Sequence, residues 1–221
     1  MNTWMGRLIF LGWLLRPRLL FGRLYQLSWY RETLERLAND LAPRSRVLEI
    51  GCANGDLAHS MARRGFDVTA VDRSARDHWR VSRAQADARQ VVFQACDAGC
   101  LPFSAATFDA VVSASLLNVV DSPVVVLREM VRVCRPCGQV RVLVPAQGFT
   151  VSEATAYVRA QGFNGLEAAA FYTWNRMARK MSHAAVEDLF QQCGLSHITT
   201  QAYLGGMVMV VAGCVSSEGV R

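Results

Sequence analysis

Lysine is almost absent from this chain of 221 residues. Lys180 is the only lysine, so nearly all of the 24 basic side chains are arginine, and the formal net charge is +6. Outside the N-terminus the arginines are mixed with acidic residues, which is typical of a solvated surface and argues against a nucleic-acid-binding stripe. Charged residues make up 19% and hydrophobic residues 52% of the chain, which excludes extensive disorder. The length suits one domain with a few additions.

The cysteine pattern lacks the pairing that disulfides or metal sites require. Seven is an odd number, and the one C-x-x-C pair, Cys134 and Cys137, has no second pair at zinc-ribbon spacing. Cys96 and Cys100 are four residues apart and have no histidine nearby. The sequence therefore predicts buried free thiols, no metal site and a reducing, cytoplasmic compartment.

Acidic residues are missing from the first 31 residues, which contain five arginines and three tryptophans. The apolar run Leu8–Leu15 is too short to span a bilayer. It is followed by Arg-Pro-Arg, which does not suit signal-peptide cleavage. We therefore expect neither a spanning helix nor a signal peptide here.

A helix is predicted over residues 17–41, because apolar residues at helical spacing form one core-facing stripe. Three aromatic side chains recur every four residues on its opposite face, namely Phe21, Tyr25 and Trp29. Three interpretations of this aromatic face stay open. It covers a substrate pocket, it makes peripheral membrane contact together with the rest of residues 1–30, or it packs under residues 1–15.

From residue 43 onward, apolar strands alternate with helices. The predicted strands are 46–50, 67–71, 91–95, 108–113, 139–144, 197–204 and 207–215. The predicted helices are 57–64, 74–86, 123–134 and 183–193. Near-continuous Val, Ile and Leu strands of this kind predict an α/β sheet of seven, mostly parallel strands. Gly205-Gly206 predicts a tight antiparallel hairpin at the C-terminal end, residues 134–138 a helix end and turn, and residues 145–181 an irregular stretch.

A turn of small residues follows the first predicted strand, in the segment V-L-E-I-G-C-A-N-G-D that begins at Val47. Gly51 and Gly55 flank Ala53, so a ligand can lie against bare backbone there. The second predicted strand is followed by Asp72, an acid well placed to bind both hydroxyls of a ribose. These features predict a site for an adenosine-containing cofactor.

A dinucleotide suits this turn poorly. The pyrophosphate of NAD requires the glycines of G-x-G-x-x-G, whereas those positions hold Gly51, Ala53 and Asp56. An acid is unfavourable beside a phosphate, but it favours the sulfonium and ammonium groups of S-adenosylmethionine. Glu49 and Asp56 therefore favour S-adenosylmethionine, and an NAD(P)-dependent oxidoreductase stays as an alternative.

Residues 44–144 resemble the class I S-adenosylmethionine-dependent methyltransferases, especially their small-molecule branch. The turn matches the first motif of that family, with Ala53 in place of the usual middle glycine, and Asp72 matches the acid that binds the ribose. The segment around Asp97 resembles the one whose acid contacts adenine. The resemblance implies a Rossmann-like fold with helices on both faces of the sheet. It also implies a cofactor site made by Glu49, Gly51, Cys52, Ala53, Gly55, Asp72, Arg73, Cys96, Asp97, Ala98 and Ser113.

Two further segments carry the resemblance. Residues 129–138 resemble the turn E-x-x-R-x-L-x-P-G-G of the family, with Cys137 where a glycine is usual. The segment from Gly194 to Met207 resembles the quinone-biosynthesis C-methyltransferases of this branch. A lipid- or quinone-like acceptor, apolar or planar and reached near a membrane surface, is the hypothesis that follows.

The catalytic residue is left unknown, because the histidine that many relatives carry after the fourth strand is replaced by Asn118. Asn118 can orient a hydroxyl or amine, or cap the next helix. His183 suits a general base by its ordinary pKa range, but its place beside the expected cap Ser182 favours a helix start. Tyr172 can stack on a planar acceptor or close the core.

The chain is divided by these features into an N-terminal helical extension, residues 1–42, and a methyltransferase domain, residues 43–221. Residues 145–183 are expected to be the acceptor-pocket insertion of that domain. The alternative from a different class is a non-catalytic protein that binds S-adenosylmethionine and uses its N-terminal helices to recruit a partner.

Overall fold

One seven-stranded sheet organises the computed structural model, which describes residues 24–74 and 91–217. Its strands are β1 (Arg46–Ile50), β2 (Asp67–Asp72), β3 (Val92–Ala95), β4 (Phe108–Ala114), β5 (Cys134–Pro145), β6 (Leu195–Tyr203) and β7 (Val208–Val215). They lie in the order β3-β2-β1-β4-β5-β7-β6. β1 to β5 are parallel, and β7 pairs antiparallel with both β5 and β6. The predicted fold class is confirmed.

The central strands β1 and β4 are largely apolar because both faces of the sheet are covered there. Val47, Leu48 and Ile50 of β1 are each no more than 1% exposed. The buried side chains form two core clusters, of which one includes Val47 and the other Leu48 and Ile50. Neighbouring positions of one strand thus contribute to different clusters, as alternation across a sheet requires.

Helices flank this sheet at most of the predicted positions. Those described are α1 (Ser28–Glu35), α2 (Asp56–Arg63), α3 (Pro123–Val133), α4 (Val151–Ala160), α5 (Gly165–Met177) and α6 (His183–Gln192). The predictions for α2, α3 and α6 agree with the structure to within one residue at each end. The predicted helix 74–86 lies outside the described residues beyond Ser74. No described helix is both long and apolar enough to cross a membrane.

The prediction of one helix over 17–41 is wrong for its described part. Leu24–Gln26 is a short 3-10 helix, Leu27 is extended, and a second 3-10 turn, Arg36–Ala38, follows α1. The break at Leu27 changes which face is covered, so Trp29, expected on the outer face, is only 4% exposed. The position of Phe21 lies outside the described residues.

Side-chain hydrogen bonds hold this N-terminal segment against α2. Both the Tyr25 hydroxyl and the Ser60 hydroxyl donate to Glu35 Oε1, at 3.1 and 2.8 Å. Arg64 donates to the backbone carbonyls of Glu35 and Ala38, each at 3.1 Å. The segment therefore packs as part of the core, while the division at residue 42 stays a prediction.

Residues 145–181 are not irregular, because they contain α4 and α5. Each helix begins with a reciprocal capping box, Thr150 with Glu153 and Asn164 with Glu167. The T-x-x-E and N-x-x-E spacings were the sequence signal for both helices. Three aromatic side chains of the stretch, Phe163, Phe171 and Trp174, pack on Trp29, whose ring centroid is 5.1 Å from that of Phe171.

The turn predicted at residues 134–138 is instead a bulged beginning of β5. Phe108 of β4 pairs with Cys134 of β5, and Ala110 pairs with Gln139. The segment of β5 between the two pairs is therefore longer than that of β4 and forms the bulge. A Cβ on Gly138 would lie 2.6 Å from Cys134 Sγ, so only glycine fits there. Cys137 has a φ of +60°, a conformation that favours glycine.

Replacing Cys137 with glycine is therefore expected to stabilise the protein by about 0.5–1 kcal/mol. The substitution relieves about 1–2 kcal/mol of left-handed strain and costs about 0.4–1 kcal/mol in unfolded-state entropy. Urea denaturation measures the difference. Cys100→Gly is the control, because Cys100 is also exposed but has no positive φ. An equal gain from both substitutions would trace the effect to the lost thiol instead.

The C-terminal hairpin is confirmed, although its connection is the 3-10 turn Leu204–Gly206 and not a two-residue loop. β7 continues the sheet beside β5, so the hairpin closes the sheet with β6 at its edge.

Candidate functional site

The turn after β1 lies at the point where the order of the strands in the sheet reverses. β1 is flanked by β2 on one side and β4 on the other, and parallel sheets bind ligands at the carboxyl ends of their strands at such a switch point. Gly51, Ala53 and Gly55 all have positive φ values, of 78°, 47° and 80°. The amides of Gly51 and Cys52 donate to the carbonyl oxygen of Val71, at 2.8 and 3.0 Å. These bonds hold the turn against the end of β2.

Gly55 is required for close approach as well as for its backbone conformation. A Cβ there would lie 2.6 Å from the ring of Phe93, whereas one on Gly65, at a φ of +93°, would meet nothing within 4 Å. A comparison of substitutions at Gly55 and Gly65 therefore distinguishes the cost of backbone strain from the cost of a steric conflict.

Gly55→Ala is expected to destabilise the protein by about 2–5 kcal/mol, and Gly65→Ala by about 1–2 kcal/mol. Both substitutions place alanine at positive φ, but only the first adds a conflict with Phe93. Chemical denaturation of the two variants tests this. Equal losses would show that the ring of Phe93 moves aside at little cost.

Asp72 closes the other side of the turn. Its Oδ2 accepts a hydrogen bond from the amide of Ala53 at 3.0 Å, and its Oδ1 accepts one from the amide of Ser74 at 3.2 Å. Asp97 lies after the neighbouring strand β3, where its Oδ1 accepts from the amide of Gly99 at 2.7 Å. Both carboxylates line one cavity.

This cavity, which we call the main cleft, has a volume of about 630 Å³. That size suits a small-molecule or cofactor site. Its charged lining residues are three carboxylates and one guanidinium, namely Asp72, Asp97, Asp121 and Arg73. An acidic lining favours a cationic ligand over a phosphate-bearing one.

The structure brings six of the predicted site residues into the main cleft, namely Gly51, Asp72, Arg73, Cys96, Asp97 and Ala98. Glu49, Cys52, Ala53, Gly55 and Ser113 do not line it. Ser113 is 1% exposed, and its hydroxyl donates to the carbonyl of Ile50 at 2.9 Å, which links β4 to β1.

The far wall of the main cleft was missed by sequence reasoning. It comes from the loop after β4 and from the start of α3, and consists of Leu116, Val119, Val120, Asp121, Ser122, Val125 and Val126. The switch-point rule could have found this loop once β4 was placed next to β1.

Glu49 is a buried acid behind the turn. It is 3% exposed, and its Oε2 has no hydrogen-bond partner among the described residues. The pKa of Glu49 is raised to about 8, mainly by burial, with smaller contributions from the charges of Asp56 and Asp72 and against a lowering effect of the Ala58 amide. A buried carboxylate oxygen such as Oε2 is destabilising without a donor or a cation beside it.

A second cavity, which we call the side cavity, has a volume of about 340 Å³. Its polar side chains include Tyr30, Ser115 and Asn118, and its apolar ones include Pro145, Trp174 and Met177. Val119 lines both cavities and is 47% exposed. The side cavity therefore adjoins the main cleft.

Of the three catalytic candidates, only Asn118 lines either cavity. His183 is the first residue of α6, and its Nδ1 lies 3.4 Å from a carboxylate oxygen of Glu187. Ser182 caps that helix, in agreement with the expected helix start. Tyr172 is half-buried and packs against the core cluster. Within the described residues, no group of three His, Cys, Asp or Glu side chains is arranged to hold a metal ion.

The comparisons with known proteins agree with this geometry. Residues 48–142, from β1 into β5, match the family model described as a methyltransferase domain. The match indicates a methyltransferase domain over this part of the chain. The matched segment contains both the turn after β1 and the loop after β4, which are two walls of the main cleft.

Two curated methyltransferases resemble this domain in sequence. The demethylmenaquinone methyltransferase of Beutenbergia cavernae is 35% identical over 111 residues, which is 50% of this chain and 44% of that protein. The ubiquinone biosynthesis O-methyltransferase of Xanthomonas oryzae pv. oryzae is 35% identical over 101 residues, 43% of this chain and 41% of that protein. The matched region therefore spans less than half the length of these relatives.

A solved structure shares the fold over nearly the whole chain. It is the 1,6-didemethyltoxoflavin-N1-methyltransferase of Burkholderia thailandensis with bound 1,6-didemethyltoxoflavin and S-adenosylhomocysteine. The TM-score is 0.67 at 18% identity, and the match covers 95% of this chain and 87% of that one. At this identity the likeness establishes the methyltransferase fold alone.

The main cleft suits the charge of S-adenosylmethionine, the cofactor that the sequence predicts. The cofactor carries a sulfonium and an ammonium, and the cleft offers a surplus of carboxylates together with the unpaired Glu49 Oε2. The individual roles of Asp72 at the ribose, Asp97 at the adenine and Glu49 at the methionine end stay predictions.

Proposed function

We propose that the protein transfers the methyl group of S-adenosylmethionine to a small, planar and largely apolar acceptor of the quinone type. The observation that carries this proposal is the side cavity, which adjoins the main cleft at Val119. Its apolar lining includes Trp174 and Met177, and these side chains suit a planar ring. The two curated relatives named for quinone biosynthesis support the same acceptor class.

The cofactor supplies a methyl group on a cationic sulfur. The chain's contribution is to orient the two reactants and to exclude water from between them, which accounts for much of the acceleration of such a reaction. Asp72 and Asp97 would hold the adenosine end, and the side cavity would hold the acceptor. Transfer would form the bond between the acceptor and the methyl carbon, break the carbon–sulfur bond to leave S-adenosylhomocysteine, and require the acceptor to give up a proton.

The proposal is tested in two stages with the full-length protein. S-adenosylhomocysteine is expected to raise the melting temperature, and NAD is not. Radiolabelled methyl transfer is then measured into dihydroxybenzene and dihydroxynaphthalene probes with short prenyl tails. A thermal shift without product from lipid, quinone, amine or protein acceptors would favour the non-catalytic scaffold. A shift with NAD alone would revive the oxidoreductase.

We further propose that the protein is cytoplasmic and contacts the membrane peripherally through residues 1–30. The basic, tryptophan-rich composition of this segment supports the idea, since such segments bind anionic lipid surfaces. Sedimentation with anionic liposomes at low salt is the measurement. The idea fails if the protein ignores these liposomes and if removal of residues 1–18 leaves activity towards a prenylated acceptor unchanged.

A further inference from the structure

We propose that Tyr30, Ser115 and Asn118 form a hydrogen-bonding site in the side cavity that selects acceptors carrying an aromatic hydroxyl group. This inference rests on the proposed function, because it deepens the identity of the acceptor. It concerns three residues that position the acceptor, and none of them is assigned as a base.

Two of these residues have a buried oxygen that accepts no hydrogen bond. Ser115 Oγ and Asn118 Oδ1 are inaccessible to solvent, and Asn118 Oδ1 has no hydrogen-bond partner. The Ser115 hydroxyl lies close enough to Tyr30 to donate to its phenol oxygen, which leaves the Ser115 oxygen free to accept. Each unpaired buried group of this kind costs about 1–3 kcal/mol. A ligand hydroxyl in the cavity would remove that cost by donating a hydrogen bond.

The orientation of the Asn118 amide follows from its other contact. Asn118 Nδ2 lies 3.0 Å from the carbonyl oxygen of Arg179 and donates to it. A carbonyl can only accept, so the nitrogen must be on that side and the oxygen on the other. Asn118 therefore presents an acceptor atom, and its orientation is held by the segment that follows α5.

The segment 115–120 forms the partition between the two cavities. Ser115 and Asn118 line the side cavity, Leu116 and Val120 line the main cleft, and Val119 lines both. A backbone bond from the Ser115 amide to the carbonyl of Leu143, at 2.8 Å, joins the start of this segment to β5. A hydroxyl held by Asn118 would thus lie beside the boundary across which the methyl group has to pass.

Tyr30 supplies a donor from α1. Burial raises the pKa of Tyr30 to about 12, against a smaller lowering effect of the nearby Ser115 hydroxyl. The phenol consequently keeps its proton at neutral pH and can donate to the acceptor's oxygen. With Asn118 accepting and Tyr30 donating, the site matches a hydroxyl, which both donates and accepts.

The apolar lining of the cavity suits the remainder of the acceptor. Pro145, Trp174, Met177 and Ala178 provide apolar surface beside the polar trio. A ring with one or two hydroxyl groups satisfies both parts of the lining, whereas a purely aliphatic chain would leave the two buried oxygens unpaired.

The test measures binding directly, so that it does not depend on turnover. Protein saturated with S-adenosylhomocysteine is titrated calorimetrically with two probes, a prenylated dihydroxybenzene and its analogue with fluorine in place of both hydroxyls. The variants are Tyr30→Phe, Ser115→Ala and Asn118→Leu. Ser196→Ala, on the exposed edge strand β6, is the matched control.

Asn118→Leu is expected to weaken binding of the dihydroxy probe about 10-fold, and Tyr30→Phe and Ser115→Ala about 3-fold to 10-fold each. The fluorinated analogue is expected to bind wild type and the Asn118 variant alike, since the interacting hydroxyl is already gone. The S-adenosylhomocysteine affinity of every variant should stay within twofold of wild type, which shows that the fold is intact.

Equal loss for both probes would assign Asn118 a merely structural role and overturn the inference, as would absence of probe binding to the wild-type protein. Turnover is scored separately with S-adenosylmethionine. Hydroxyl-dependent binding without methyl transfer would contradict the proposed function while leaving the hydroxyl site in place.

Discussion

Replacing Asp72 with alanine is expected to weaken S-adenosylhomocysteine binding by about 100-fold. The carboxylate accepts hydrogen bonds from the amides of Ala53 and Ser74, so it shapes the turn and also faces the main cleft. Loss of the carboxylate removes the proposed partner of the ribose hydroxyls. It also removes the hydrogen bond that holds the amide of Ala53 in the turn. Charge-assisted hydrogen bonds are each worth about 1.5–3 kcal/mol, and about 1.4 kcal/mol corresponds to a tenfold change in affinity.

Isothermal titration of the purified variant measures this loss. Asp67→Ala is the matched control, because Asp67 is an exposed acid at the opposite end of β2. Asp72→Asn separates charge from shape, and we expect it to be intermediate. An affinity of Asp72→Ala within threefold of wild type would exclude Asp72 as a major binding residue.

The cofactor-free protein is expected to lose stability as the pH rises from about 4.5 to about 8, because of Glu49. Burial raises the pKa of this carboxyl from 4.5 to about 8. At low pH it is protonated in both the folded and the unfolded chain and has no effect. As the pH rises, the unfolded chain releases its proton first, so the free energy of unfolding falls by about 1.4 kcal/mol per pH unit. The loss ends near the folded pKa and amounts to roughly 3–5 kcal/mol.

Urea denaturation between pH 5 and about 9 tests this dependence. Glu49→Gln should flatten most of the slope, whereas Glu32→Gln, an exposed carboxyl, should leave it unchanged. Saturating S-adenosylmethionine should also reduce the slope in wild type, since a cation near Glu49 stabilises the ionised form. Parallel losses in wild type and Glu49→Gln would rule out Glu49 as the titrating group.

The sheet was largely predictable because its parallel strands are covered on both faces. Burial on both faces removes strict alternation, so most residues of β1 and β4 are apolar, and these strands stand out from the amphipathic helices. The turn after β1 was equally visible, because positive φ values demand small residues. The two departures from the family pattern, Ala53 and Cys137, both have positive φ, which is the physical reason that glycine is usual at these positions.

The segment around the side cavity was not predictable in the same way. Trp29 and Phe171 are buried against each other from distant parts of the chain, so their aromatic character gave no reliable indication of exposure. The capping boxes were the only sequence signal for the helices α4 and α5. Asn118 was identified as a candidate, but its partner, the carbonyl of Arg179, is 61 residues away.

The sequence by itself predicted S-adenosylmethionine as the methyl donor, since local spacing and charge decide which cofactor can bind at a turn of small residues between acids. Glu49, Gly51 and Asp72 are separated by short strands of one α/β unit, so their order along the chain implies their proximity. Only the tertiary structure decided where an acceptor would lie. Tyr30, Asn118 and Trp174 come from three separate elements, and their juxtaposition depends on how α1 and α5 pack across the end of the sheet. Packing of distant elements leaves no local pattern in the chain, and that is why the proposed acceptor site is visible only in the folded protein.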